Sequence, residues 1–182
     1  TAVASKVGQK ISSQAATLQL RIATGKKVNS PLDNPSSFFT ASALSQQASQ
    51  LGDVIDLARA FPGTQIVLNH VGGPIGLGRY KSKRDEVFAD WSGRIRELAS
   101  CPNVHVKLGG LGMKMFGFDV HEGEIAPGSE QLAGLWRPYV ETCIDAFGTK
   151  RAMFESNFPV DKGSYSYAVF WNACKKLAKG MS

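Results

Sequence analysis

The run Gln65-Ile66-Val67-Leu68-Asn69-His70-Val71-Gly72-Gly73-Pro74 decides how the chain is read. Three β-favouring apolar residues lead through Asn69 to a histidine and then to Gly-Gly-Pro punctuation, the form of a short strand running into a loop. Two later runs repeat it: Val104-His105-Val106-Lys107-Leu108 before Gly109-Gly110, and Ala152-Met153-Phe154 before Glu155-Ser156-Asn157-Phe158-Pro159. Between them, Arg84 to Ala99 places Val87, Phe88, Trp91, Ile95 and Leu98 on one helical side. Ser129 to Phe147 opens with a Ser-Glu cap and carries Leu132, Leu135, Trp136, Tyr139 and Ile144. A last helix, from about Ser164 to Ala178, presents Ala168, Trp171 and Leu177. Strand starts near 65, 104 and 151 leave 39 and 47 residues for each crossover, enough for parallel pairing. The expected class is α/β, built from three βα units.

Upstream the composition changes. Residues 1–52 hold five Lys or Arg against the single acid Asp33, and Ala, Ser, Thr and Gln make 27 of the 52. All three Trp, all four Tyr, all three His and all three Cys lie beyond them. So abrupt a shift predicts two segments, 1–54 and 55–182. In the first, Val7, Ile11, Ala15, Leu18 and Ile22 form one apolar stripe on a helix from about Ser5 to Thr24, closed by Gly25. A second helix is expected from Pro35 to about Ala60, stopped by Pro62 and Gly63, so that the two make a helical hairpin. Its stripe needs a partner, and self-association through these N-terminal helices is the expectation.

Residues 1–52 carry +4 of the net charge of +6. The later basic cluster Arg79, Lys81, Lys83 and Arg84 lacks interleaved aromatics and is followed by Asp85 and Glu86, so it reads as a solvated loop and no nucleic-acid partner is expected. No run approaches the roughly 18 apolar residues of a membrane span, and no leader pattern opens the chain. Cys101, Cys143 and Cys174 are odd in number and widely spaced, which reads as reduced, buried thiols. The chain opens on Thr1 rather than Met, so a removed start or a fragment is expected.

Two resemblances add to this. Leu20 to Pro35, with Phe38-Phe39-Thr40-Ala41 and Leu44, resembles the N-terminal region of bacterial flagellins, which implies a structural filament protein as the alternative function and a flagellar or secreted location. Ile66 to Pro74, Cys101 to Leu111 and Arg151 to Asp161 resemble the last three strand ends of amidohydrolase-related, metal-dependent TIM-barrel hydrolases, the dicarboxylate and sugar lactonases among them. That resemblance implies a partial (β/α)8 barrel behind the helical hairpin, since a closed barrel takes eight units and roughly 250 residues. It also implies a parent activity of hydrolysing a lactone or related carboxyl derivative, a small-molecule carboxylate or lactone as partner, and a cytoplasmic location.

The candidate residues sit at the strand ends. His70 emerges where barrel enzymes place their chemistry. The resemblance makes it a metal ligand or the group that polarises the scissile carbonyl, tasks that an imidazole can perform. Asn157 stands where the family places Asp and has no ionisable carboxylate, so Glu155 or Asp161 is expected to handle the proton. Lys107 is expected to hold a substrate carboxylate, or to be a surface lysine, and Asn69 is the second substrate-binding candidate. His105 reads as packing or surface, and His121, in a polar loop, as solvent exposed. The paired first-strand histidines of metal-bearing members are absent, because no His precedes His70. No metal and no cofactor are therefore assigned, and the chain alone is expected to be inactive. The Gly72 to Gly78 run lacks a Gly-Lys-Ser/Thr ending and reads as a flexible site loop rather than a phosphate loop.

Overall fold

Val104, Val106 and Leu108 are buried while His105 and Lys107, between them, are half-buried. This alternation makes β2 (Val104–Leu108) a strand with one face against helices. In the computed structural model of the chain, residues 51–179 are described, all within the unit Gln47–Ser182. β2 is flanked by β1 (Ile66–Leu68) and β3 (Ala152–Phe154) in the order β1-β2-β3. Both pairings are parallel, with Val67 opposite His105 and Lys107 opposite Met153. β1 ends at Leu68 because Asn69 already belongs to the following turn, its carbonyl accepting from Gly72 N–H at 2.9 Å.

Helix α1 covers 51–60 and turns Leu51, Ile55 and Ala58 inward at steps of four and three. The rest of the expected hairpin, its self-associating stripe and the flagellin-like stretch lie outside the described residues. α2 (Arg84–Ala99) and α3 (Ser129–Phe147) have the expected bounds. The Ser-Glu cap does not form, however: Gly128 is the residue before α3, no side chain caps it, and Ser129 is already helical. α4 is Tyr167–Ala178, three residues later than expected at its start. Val160–Gly163 makes a separate 3-10 turn, and the Ser166 hydroxyl, not Ser164, accepts from Val169 N–H at 3.3 Å as the cap.

Two polar side chains tie the crossovers to the sheet. Buried Asn103 donates through Nδ2 to the carbonyls of Ala58, Phe61 and Thr64, closing the end of α1. Arg151, just before β3, donates to the carbonyls of Ala99, Cys101 and Val104 and to that of Phe147, so one guanidinium joins the ends of α2 and α3. The core between helices and sheet is centred on Trp136, Phe116, Phe170, Ile95, Leu98 and Val106. All three cysteines are free and buried, as expected, and burial pushes the Cys143 and Cys174 thiols up to about 12, which keeps them unreactive. The opposite sheet face carries half-buried His105 and Lys107 with Val67 and Met153, which are 46% and 41% exposed. Among the described residues no helix is long and apolar enough to cross a membrane.

Candidate functional site

After β1 the backbone enters the left-handed region for four successive residues: His70 (φ 51°), Val71 (49°), Gly72 (72°) and Gly73 (66°). For a non-glycine residue this costs about 1–2 kcal/mol, so His70 and Val71 must be held there. Several contacts do so. Glu155 Oε1 accepts the His70 backbone N–H at 3.2 Å and lies 2.7 Å from Nδ1 of the same residue. Trp91 donates its indole N–H to the Val71 carbonyl at 2.7 Å, and the Val71 side chain is fully buried. On the ring itself lies Gly110, at φ 71°, where a Cβ would stand 2.4 Å from His70 Nδ1. The expected flexible loop is thus pinned at its start, and Gly76 N–H further fixes it by donating to the Met115 carbonyl at 2.8 Å.

The other oxygen of Glu155 faces Lys107, Nζ to Oε2 3.4 Å. Three consecutive strand ends therefore meet in one cluster: His70 after β1, Lys107 in β2 and Glu155 after β3. Within the chain, the carboxylate that Lys107 meets is that of Glu155. A second cluster lies beside it. Asn157 donates through Nδ2 to Asp161 Oδ1 at 3.1 Å, and Tyr165 donates its hydroxyl to Asp161 Oδ2 at 2.5 Å. Asp161 is 1% exposed, so of the two acids expected to replace a missing carboxylate, Glu155 contacts His70 and Asp161 anchors Asn157. Asn69 is exposed and, with His70, Val67, Leu57 and Met113, lines a cleft of about 570 Å³.

Tyr165 and Gly110 were not singled out from sequence. The Gly109-Gly110 pair at a strand end carried the signal for the second, whereas Tyr165 needed the fold. His121 corrects its expectation: its side chain is only 14% exposed, because the loop folds it inward, and its Nδ1 is buried without a partner among the described residues. The basic cluster is partly engaged: Lys81 and Lys83 pair with Asp119 and Glu86, and the Arg84 guanidinium donates to the Gly117 carbonyl and lies over the Phe118 ring.

Burial raises the Asp161 carboxyl above its ordinary range, and the bonds from Tyr165 and Asn157 only partly offset this. A folded-state pKa raised above the unfolded one means stability fully present below the unfolded value and lost as pH rises through the folded value. Relative to Asp161→Asn, the wild-type chain is therefore expected to lose stability as pH rises from about 4 towards neutrality. Urea midpoints of both proteins across that range measure it, and a difference constant with pH contradicts it.

Among the described residues no three His, Cys, Asp or Glu side chains gather as a metal centre requires. His70 Nδ1 is held by Glu155, and both Asp161 oxygens are taken. These residues alone do not fit a three-ligand zinc site.

The amidohydrolase family pattern matches residues 13–180. The chain is 41% identical over 133 residues to an uncharacterized protein of Sinorhizobium fredii, covering 73% of this chain and 38% of that protein. It is 31% identical over 124 residues to L-fucono-1,5-lactonase of Burkholderia ambifaria, covering 65% and 36%. A crystal structure of an amidohydrolase from Burkholderia multivorans with bound zinc is similar at TM-score 0.60 and 29% identity, over 74% of this chain and 44% of that one. The chain thus spans less than half the length of these relatives. The family match takes in most of the segment read as flagellin-like, and nothing in these comparisons supports a flagellin segment or a chimera.

Proposed function

The chain belongs to the amidohydrolase family, and on that footing we propose that its strand-end cluster serves the hydrolysis of a lactone, of the sugar-lactone class or a related carboxyl derivative. The observation that carries this is the meeting of His70, Lys107 and Glu155 from three consecutive strands, at 2.7 and 3.4 Å. Active sites of such sheets lie at the strand C-terminal ends. There the imidazole is suited to polarise a lactone carbonyl or to take the proton of attacking water. Lys107 adds a positive charge beside a developing oxyanion, with Glu155 balancing that charge between turnovers. Asn157, held by Asp161, supplies hydrogen bonds but no ionisable group.

Binding and turnover separate here. Catalysis in a barrel draws on many strand ends, and the described residues supply three. A missing positioned acid or base costs about 10²–10⁴ in rate. Turnover by the 182-residue chain is therefore expected to fall below detection, while binding persists. Calorimetric titration with L-fucono-1,5-lactone, other sugar lactones and dicarboxylate lactones tests this. At least one is expected to bind the wild type and to bind His70→Ala at least tenfold more weakly. Equal affinity for both proteins, or no binding across the panel, overturns the reading, whereas acid release that vanishes in His70→Ala supports the reaction and corrects only the expected inactivity.

A further inference from the structure

A carboxylate accepts hydrogen bonds and cannot donate them, so the 2.7 Å approach of Glu155 Oε1 to His70 Nδ1 requires the proton to sit on Nδ1. We infer that Glu155 is a positioning residue: it fixes His70 as the Nδ1–H tautomer, leaving Nε2 as the ring's acceptor, and it holds the left-handed backbone that aims the ring. The same Oε1 takes the His70 backbone N–H at 3.2 Å, so one oxygen sets both main chain and ring of a residue whose φ of 51° is otherwise disfavoured. Lys107 steadies the carboxylate from its other oxygen at 3.4 Å. Gly110 lies against the ring, and the absence of a Cβ there is what admits the imidazole in this position.

Glu155 comes within hydrogen-bond reach of the nitrogen remote from Nε2, which is the arrangement by which a third group orients a histidine that reacts through its far nitrogen. The carboxyl is thus occupied in orienting the base, and the proton of an attacking water is left to Nε2 of His70. The inference rests on the strand-end cluster being a reaction site, but its measurement needs no turnover, so failure of either idea is seen separately.

The chain has three histidines, His70, His105 and His121, so nitrogen-labelled histidine gives few signals, and His70→Ala assigns the one of interest. Long-range proton–nitrogen correlation at a pH where the ring is neutral reads which nitrogen carries the proton. The wild type is expected to show a single Nδ1–H form at His70. Lys107→Ala, which leaves the Oε1 contact in place, is expected to keep it. Glu155→Ala is expected to convert it to a mixture of both tautomers. Should that variant not fold, Glu155→Asp, which draws the carboxylate back by one methylene, is expected to give the same mixture. A proton on Nε2 in the wild type overturns the assignment, as does an unchanged Nδ1–H form in whichever Glu155 variant folds.

Discussion

Gly110→Ala is expected to unseat the His70 imidazole, lowering the unfolding midpoint by about 5–15 °C and abolishing lactone binding. Two costs add. The φ of 71° at this position costs a non-glycine residue about 1–2 kcal/mol on the backbone alone. The new methyl would lie 2.4 Å from His70 Nδ1, 2.6 Å from Cγ and 2.9 Å from Cβ, contacts that real Cβ atoms do not make. Forced overpacking of this kind costs about 1–3 kcal/mol more. The ring cannot yield without breaking its bonds to Glu155, so displacement and loss of the site are one event. A misplacement of about 1 Å at a reacting group can cost about 10²-fold. Thermal unfolding and calorimetric titration of the variant check both parts, and a variant as stable and as competent to bind as the wild type contradicts the placement of Gly110 against the ring.

Trp136→Ala is expected to cost about 3–5 kcal/mol of stability. Its side chain is 2% exposed and sits at the centre of the helix–sheet core, edge-on to Tyr165 at 5.3 Å and tilted against Phe170 at 6.0 Å. The indole N–H is buried without a hydrogen-bond partner among the described residues, so the loss is one of packing and not of a polar contact. Trp136→Phe separates the two ideas. It keeps most of the ring, removes the unpaired donor, and is expected to cost no more than about 1.5 kcal/mol. Denaturant unfolding of the two variants decides, and equal losses would mean that the indole nitrogen contributes to the fold.

The parts legible in the sequence are those with a clean period. β2 alternates Val104, Val106 and Leu108 with His105 and Lys107, and α2 repeats Trp91, Ile95 and Leu98, so their bounds follow from local pattern alone. The start of α4 was less legible, because caps depend on which neighbour reaches the backbone: Ser164 looks like a helix start, yet its hydroxyl donates to the Gly112 carbonyl and leaves the cap to Ser166. The site residues His70, Lys107 and Glu155 could be picked out as strand-end groups, but not their pairing. That follows from register: Lys107 lies opposite Met153, which brings Glu155, two residues on, to the same face. The burial of Asp161 under Tyr165 and of His121 in its loop are products of tertiary packing that no local pattern records.

A strand-end cluster that serves a reaction must meet a ligand. The most direct measurement of this is a histidine-observed titration of the nitrogen-labelled chain with L-fucono-1,5-lactone, and with the other sugar and dicarboxylate lactones where that one does not bind. The predicted result is a saturable shift of the His70 ring signals, with those of His121, which does not line the cleft beside His70, unmoved. Saturable binding that shifts His121 and leaves His70 unchanged would contradict it.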